Sequence, residues 1–429
     1  MTKLRQYPDC YYEASRRYDL SCPVLGEDIS VDVCIIGGGY TGLSTALHLS
    51  EAGCKVAVLD SHHIASGASG RNGGHVGTGQ RRHQEDLEKL YGTAIAAKLW
   101  QAGLDAVALV KTLIEQHHIN CDLQKGILHV AHKPRYTADF RAEVDFLQQR
   151  YGYTQARAIS RDEVSELLGT SVFYGGLHDT ASMHLHPLNY ALGLAQASKT
   201  AGAQLFEYSP VASYRSQGQD ITVSTTNGST VRAKHLVLAC NGYLGNLEPR
   251  ISGKIMPINN FLVATAPLGE GLANSLIRNR LAVQDSRFVI NYWRCSEDGR
   301  LVFGGGESYR SSLPSNIAGI VRKRVLAIYP QLEDVPIDYA WGGKLAITLQ
   351  RMPHVGRLQQ NIHYAHGYSG HGVPTATFLG KAIAEAICSN SEQFELFAGL
   401  PARTFPGGTL LRWPGMVAGM LYYSLMDRF

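Results

Sequence analysis

Residues 31–36 (VDVCII) are apolar except at Asp32, which predicts a strand buried on both faces, as in a parallel sheet. The run ends in Gly37-Gly38-Gly39-Tyr40-Thr41-Gly42, and LSTALHLSEAG then repeats apolar residues at helical spacing until Gly53. A second apolar run, KVAVL at 55–59, stops at Asp60. Strand, tight turn, helix and strand make one βαβ unit. Residues 84–168 keep a 3.6-residue period, interrupted by an expected hairpin over 121–132. After His186-Pro187, LNYALGLAQASKTAG predicts a helix and residues 204–208 a strand. The alternation in ITVSTTNGSTVRAKHLVLAC predicts a hairpin whose second strand ends at Ala239-Cys240-Asn241-Gly242. Residues 257–307 read as strand-rich. A strand over 361–365, a turn over 367–372 and a helix over 373–387 follow.

The length of 429 residues, with 45% hydrophobic and 18% charged side chains, excludes one small module and excludes extended disorder. Forty-five glycines make about a tenth of the chain, above the usual ~7%, and their clustering suggests close backbone approach to a ligand. Forty basic against 36 acidic residues leave +4, with only short basic runs such as Arg81-Arg82 and Arg322-Lys323-Arg324, so no nucleic-acid partner is expected. The eight cysteines form no CxxC pair, and Cys34 and Cys240 lie in apolar runs; reduced thiols and a cytoplasmic location are expected. The first twenty residues lack the apolar region of a secretory signal, and no apolar run has the length of a membrane span. For 415–426 (GMVAGMLYYSLM), ordinary packing or contact with a second copy is expected over membrane attachment.

The βαβ unit carries GxGxxG at Gly37, Gly39 and Gly42. The first glycine suits the turn, the second lets backbone approach a pyrophosphate, and the third lets the helix pack on the strand. Asp60, 23 residues after Gly37, is placed to accept hydrogen bonds from an adenosine ribose, with Ser61 beside it. Ser66-Gly67-Ala68-Ser69-Gly70-Arg71-Asn72-Gly73-Gly74 follows at once. A second glycine-rich loop here suits FAD over NAD, because it supplies further N–H donors and lets backbone lie against an isoalloxazine edge. No second dinucleotide fold follows, since FGGGESY at 303–309 lacks the third glycine.

VDVCIIGGGYTGLSTALHLSEAG with GASGRNGG resembles the FAD-dependent amine oxidases of the D-amino-acid oxidase and glycine oxidase superfamily, and within it the gamma-glutamylputrescine oxidases. The likeness extends from Tyr11-Tyr12-Glu13-Ala14-Ser15 through PINNFLVATAPL (257–268), RLVFGGGE (300–307), WGGKLAITLQRMPHVGRL (341–358) and GYSGHGV (367–373) to FPGGTLLRWPGMVAGMLYY. Asp60 departs from it, where the family more often carries Glu. The resemblance implies an α/β fold: a Rossmann-like FAD-binding domain from 1–83, 155–250 and 336–390, and a substrate domain from 84–154 and 251–335 built on an antiparallel or mixed sheet with flanking helices. Residues 391–429 would pack on the body.

By the same resemblance Tyr40, Thr41, Gly67, Ala68, Ser69, Arg71, Asn72, Gly73 and Gly74 join the FAD site, and Val211 flanks the adenine. The turn at Ala239, Asn241 and Gly242 lies near the pyrophosphate, and Gly367, Ser369, Gly370, His371, Gly372 and Val373 face the flavin's pyrimidine edge. Tyr292, Trp293, Tyr309 and Trp341, with Phe261, are candidates for a cage around a small-molecule amine. Tyr292, Trp341 and His371 are the catalytic candidates, and Arg294 and Arg310 the candidates for a glutamyl carboxylate. The implied reaction oxidises the CH–NH2 group of gamma-glutamylputrescine or a related gamma-glutamyl polyamine to an aldehyde and ammonia, with oxygen, giving hydrogen peroxide, or another acceptor taking the electrons; the alternatives are oxidation of a small amino acid such as glycine, sarcosine or a D-amino acid, and an FAD-binding protein without turnover. Lys254 and Lys344 are the lysines considered for oxygen use. His62-His63, His117-His118 and His184-Leu185-His186 lack companion ligands at metal spacing, so no metal is expected.

Overall fold

The computed structural model describes residues 10–308 and 312–409. Two sheets organise it. In the first, Ile29–Ile36 lies between Thr230–Leu238 and Val56–Leu59, parallel to both. Gln204–Phe206 extends the parallel order on one side and Ile362–His366 on the other. Antiparallel His354–Gln359 closes the latter edge, and Val211–Gln217 with Asp220–Thr225 form an antiparallel extension of Thr230–Leu238. Register sets the function of this sheet. Ile36 pairs with both Leu59 and Leu238, and Leu238 pairs with Tyr364. The chain therefore leaves the carboxyl ends of these strands at Gly37, Asp60, Ala239 and Gly367 along one edge, where ligands bind in open parallel sheets.

The helices Tyr40–Glu51, Thr93–Gln116, Pro187–Thr200 and Gly372–Cys388 bury Leu43, Leu47, Val110, Leu194, Leu379 and Ile383 in one core. Gly42 and Gly380 permit close approaches: a Cβ on Gly42 would lie 2.0 Å from the Gly37 carbonyl oxygen, and one on Gly380 2.5 Å from that of Thr41. Thr93–Gln116 has the length and apolar composition of a membrane-crossing helix. It instead buries Leu99, Val107 and Leu113 in this shared core.

The second sheet runs Ile337–Ile347, Met256–Thr265, Leu301–Ser308, Tyr292–Cys295, Ala282–Asp285, Gln124–Val130, Gly176–His184 and His75–Val76, with Ala156–Ile159 on Gly176–His184. All pairs are antiparallel except Ala282–Asp285 with Gln124–Val130. Helix Ile317–Ile328 covers one face through Val321, Val325 and Ile328, against Phe261, Trp293 and Phe303.

The α/β class with a mixed second sheet agrees with the sequence, and the sheets draw strands from across the expected segments. Ala156–Ile159, Gly176–His184 and Ile337–Ile347, expected in the FAD-binding half, pair in the second sheet. Helix Thr93–Gln116, expected in the substrate half, packs in the core of the first. No hairpin forms over 121–132; Gln124–Val130 is one strand paired with two distant ones. Local periodicity reports which residues are buried and says nothing of the sheet they join. Residues 410–429, including 415–426, lie outside the described residues.

Candidate active site

The strand ends open on one cleft of about 680 Å3. Gly37 begins its wall with φ +110°, and a Cβ there would lie 2.7 Å from the Ala239 carbonyl oxygen, so only glycine fits this turn. Gly39, Tyr40 and Thr41 line the cleft at the start of Tyr40–Glu51, which thus presents its positive end to it. The Tyr40 amide donates to Ser69 Oγ at 3.0 Å. Asp60 accepts from the Gly38 amide at 2.8 Å and from the His62 amide at 2.9 Å. Burial outweighs both bonds and lifts its carboxyl to about 6.

The second glycine loop is knitted by its own side chains. Asn72 Nδ2 donates to the carbonyls of Ala68 (3.0 Å) and Ser69 (2.9 Å), and its Oδ1 accepts from the Gly74 amide at 2.8 Å. Arg71 crosses to the second sheet, its Nε on the Ser66 carbonyl at 2.7 Å and a terminal nitrogen on that of Gly342 at 2.9 Å. Asn241 Oδ1 accepts from the Gly367 amide at 2.9 Å, which joins two strand-end turns. The hydroxyls of Thr41 and Tyr368 lie 2.5 Å apart.

The cleft continues over the second sheet. Tyr292 lies between Gly73 and Gly304, and its hydroxyl donates to the Asn260 side-chain oxygen. Burial raises its phenol far above the usual range. His75 is 3.1 Å from the Val283 carbonyl oxygen through Nε2, and burial pushes it down to about 4, so the ring is neutral at physiological pH. Gly370, Gly372, Val373 and Ala376 bring the start of helix Gly372–Cys388 to the same cleft.

Glycines that bring bare backbone to the wall, two strand-end turns and a helix start face one cleft, a cradle shaped for close backbone approach to a ligand. Residues 32–386 match the family model described as DAO, FAD dependent oxidoreductase. The chain belongs to this family. It is 38% identical over 426 residues to the gamma-glutamylputrescine oxidoreductase of Escherichia coli (strain K12), covering 99% of each chain. It is likewise 38% identical to the probable oxidoreductase OrdL of Rhizobium meliloti (strain 1021), over 98% of this chain and 97% of that one. Glycine oxidase from Geobacillus kaustophilus shares the fold, with a TM-score of 0.72 at 21% identity over 86% of this chain and 97% of that one. As a member of the DAO family the chain is an FAD-dependent oxidoreductase. The cradle fits the group, because side chains at Gly37, Gly39 or Gly73 would meet protein atoms at 2.6 to 2.8 Å.

Of the residues singled out in the sequence, Gly37, Gly39, Tyr40, Thr41, Asp60, Ser61, Gly67, Ala68, Ser69, Arg71, Asn72, Gly73, Val211, Ala239, Asn241, Tyr292, Ser369, Gly370, Gly372 and Val373 line this cleft. Gly42, Gly74, Gly242 and Gly367 stand behind it as packing positions. A Cβ on Gly74 would lie 2.0 Å from the Leu185 carbonyl oxygen, and one on Gly367 2.5 Å from Thr348. His371 sits beneath the cleft against Gly77, held neutral at about 4 by burial and by the charge of Arg81. Trp341 is also behind the wall; its Nε1 donates to the Arg71 carbonyl at 3.2 Å and its ring meets Tyr12 edge-on.

Among the described residues the expected aromatic cage does not form. Successive strand residues face opposite ways, so Tyr292 reaches the cleft while Trp293 stacks between Phe173 and Phe303 on the other side. Phe261 belongs to that same far core, whereas its neighbour Leu262 lines the cleft. Arg294 is buried with its Nε on the Gly73 carbonyl at 3.1 Å, supporting the loop from behind. Lys254 donates to the Ala402 carbonyl at 2.7 Å away from the cleft, while Lys344 lines it with Nζ 5.3 Å from the centre of the Tyr243 ring. Tyr309 and Arg310 lie outside the described residues.

Sequence reasoning missed Arg81, Asn259, Asn260, Gln284, Glu307 and Arg351, all on the cleft. Asn259-Asn260 had a readable signal, a polar pair inside an otherwise apolar strand. A register shift between Asn260 and Leu262 breaks the alternation there, and both asparagines line the cleft.

Proposed function

We propose that the chain oxidises the CH–NH2 group of a gamma-glutamyl amine, with gamma-glutamylputrescine as the substrate to test first. The observation that carries this reading is the 38% identity with the Escherichia coli gamma-glutamylputrescine oxidoreductase along both whole chains, against 25% for the glycine oxidase of Bacillus licheniformis. With oxygen as acceptor the balance is R–CH2–NH2 + O2 + H2O giving R–CHO + NH3 + H2O2. Bound FAD supplies the two-electron acceptance.

The chain's own residues hold, orient and desolvate. Gly37, Gly39 and the start of helix Tyr40–Glu51 would take the pyrophosphate, with Ala239 and Asn241 beside it. Asp60 and Ser61 would take the ribose, and Val211 the adenine. Gly67 through Gly73 and the segment from Ser369 to Val373 would cradle the flavin, leaving the chamber at Tyr292 for the amine. A neutral His75 and a protonated Tyr292 neither supply nor remove net charge there, and enclosure disfavours an ammonium. The amine is therefore held as the neutral base, the form that can be oxidised, without a dedicated general base. The free state of all eight cysteines suits the cytoplasm.

Anaerobic addition of gamma-glutamylputrescine to the purified yellow holoenzyme tests the reading, with sarcosine as comparison. Rapid loss of the visible flavin band with the first and not the second is expected. An unchanged band with gamma-glutamylputrescine overturns the substrate. Re-oxidation by oxygen with stoichiometric peroxide would distinguish an oxidase from a dehydrogenase.

A further inference from the structure

The cleft as a whole carries more fixed charge than the oxidation of a neutral amine requires. Arg81, Glu307 and Arg351 all line it. Arg81, its Nε 3.2 Å from the Ser369 carbonyl oxygen, is driven down to about 10 by burial and, next, by the charge of Arg351, while Glu307 acts in the opposite sense. Two guanidiniums and one carboxylate on the walls of one cleft form a field that favours an incoming anion next to a place for a cation.

Arg351 is also set by the backbone. It follows a turn in which its amide donates to the Thr348 carbonyl at 3.2 Å, and its φ of +60° is a left-handed conformation uncommon for a long side chain. Such strain persists where the surroundings enforce it, often at ligand clamps. Its guanidinium carbon lies 5.5 Å from the centre of the Phe288 ring, another cleft residue, so the planar fork is oriented by an aromatic face. Glu307 lines the same cleft from the strand Leu301–Ser308, where it pairs with Asn260.

We propose that Arg351 and Glu307 clamp the alpha-amino-acid head of the substrate, the guanidinium taking the alpha-carboxylate and the Glu307 carboxylate the alpha-ammonium. This rests on the gamma-glutamyl reading above and deepens it. A gamma-glutamyl amine carries these two opposite charges on one carbon, remote from the reacting amine, and the clamp would recognise that end while Tyr292 and His75 surround the other. Arg81 adds to the field that draws in the carboxylate.

The test uses holoenzyme and N5-propyl-L-glutamine, which keeps the charged head and lacks the terminal amine whose carbon is oxidised. Its binding is read from the perturbation of the flavin band, independently of turnover. The wild type should bind it, and Arg351→Gln and Glu307→Gln should each raise Kd at least tenfold, with Arg351→Lys recovering part of the loss. The preference in kcat/KM for gamma-glutamylputrescine over N-butyrylputrescine, which lacks both head charges, should collapse at least tenfold in Arg351→Gln, through KM. FAD content and the melting temperature check that each variant is folded, and Arg351→Lys stands in if Arg351→Gln loses flavin. A Kd for N5-propyl-L-glutamine within twofold of wild type in both neutral variants overturns the clamp, while reduction of the wild-type flavin by gamma-glutamylputrescine would leave the substrate reading intact. No reduction of the wild type by gamma-glutamylputrescine overturns both.

Discussion

Tyr292 lies directly over Gly304: a Cβ on that glycine would sit 2.1 Å from the ring's Cζ. The same ring would meet a Cβ on Gly73 at 2.6 Å. One side chain thus takes the space left by two glycines, one from the second sheet and one from the loop next to the dinucleotide turn. Its position in the chamber is set by what those residues lack.

Gly304→Ala should therefore push Tyr292 out of place without touching the dinucleotide end. The overlap costs about 1–3 kcal/mol as overpacking, read as a lower melting temperature. FAD content should stay near wild type while kcat/KM for the amine falls at least tenfold. Loss of FAD together with activity would show instead that Tyr292 supports the cofactor cradle.

If Asp60 takes the adenosine ribose, as proposed, it links pH to FAD retention. In the FAD-free chain burial raises its carboxyl from 3.8 to about 6. Between these values the folded chain binds more protons than the unfolded chain, so this group's contribution to stability is full below about 4 and is lost as pH rises through about 6. Ribose hydroxyls donating to the carboxylate would favour its ionised form. FAD affinity should then rise from pH 5 to pH 7, and the rise should vanish in Asp60→Asn; calorimetric or fluorescence titration of FAD into apoprotein at several pH values measures it.

The parts of this site that were legible in the sequence are those whose chemistry acts through backbone. Gly37, Gly39, Asp60 and the loop at 66–74 are read from spacing because a pyrophosphate turn demands glycine at fixed offsets. Trp293 and Phe261 were misplaced because composition attracts attention to large aromatics, whereas a one-residue change of strand face decides whether they meet substrate or core. Arg351 gave no signal at all. Its backbone conformation arises from a turn at the meeting of two sheets, and such long-range geometry leaves no local pattern. The sheet that Gly176–His184 joins was illegible for the same reason, because its partners Gln124–Val130 and Ala156–Ile159 lie before it in the chain.

At the edge of the first sheet His354 Nδ1 lies 2.8 Å from His366 Nε2, and the Tyr364 hydroxyl 2.9 Å from His354 Nε2. Burial pushes His354 down to about 4, with Lys254 adding to the shift, and burial also holds His366 well below its usual value. A depressed imidazole stabilises the fold fully above its unfolded value near 6.5 and loses that contribution as pH falls through the folded value. The melting temperature should accordingly decline from about pH 6.5 towards pH 4. In His354→Gln the decline should be shallower, on top of a loss of about 1–3 kcal/mol for the broken bonds. A slope identical to wild type would place the acid sensitivity elsewhere.

Trp341 acts on the cofactor loop from behind, and its role separates packing from hydrogen bonding. Its indole N–H donates to the Arg71 carbonyl, and Arg71 in turn holds the Ser66 and Gly342 carbonyls. Trp341→Phe keeps most of the apolar area against Tyr12 and removes the donor, leaving the Arg71 carbonyl without that bond at a cost of about 1–3 kcal/mol. Because the affected loop lines the cleft, the loss should fall on FAD binding: Kd for FAD should rise roughly tenfold, since about 1.4 kcal/mol is one decade. Trp341→Leu removes the edge-on ring contact as well and should lower the melting temperature further. With FAD at saturation, kcat of Trp341→Phe should return to within about threefold of wild type, because the ring does not line the chamber. A kcat that stays low at saturating FAD would make Trp341 a determinant of the chamber itself, as the sequence first suggested.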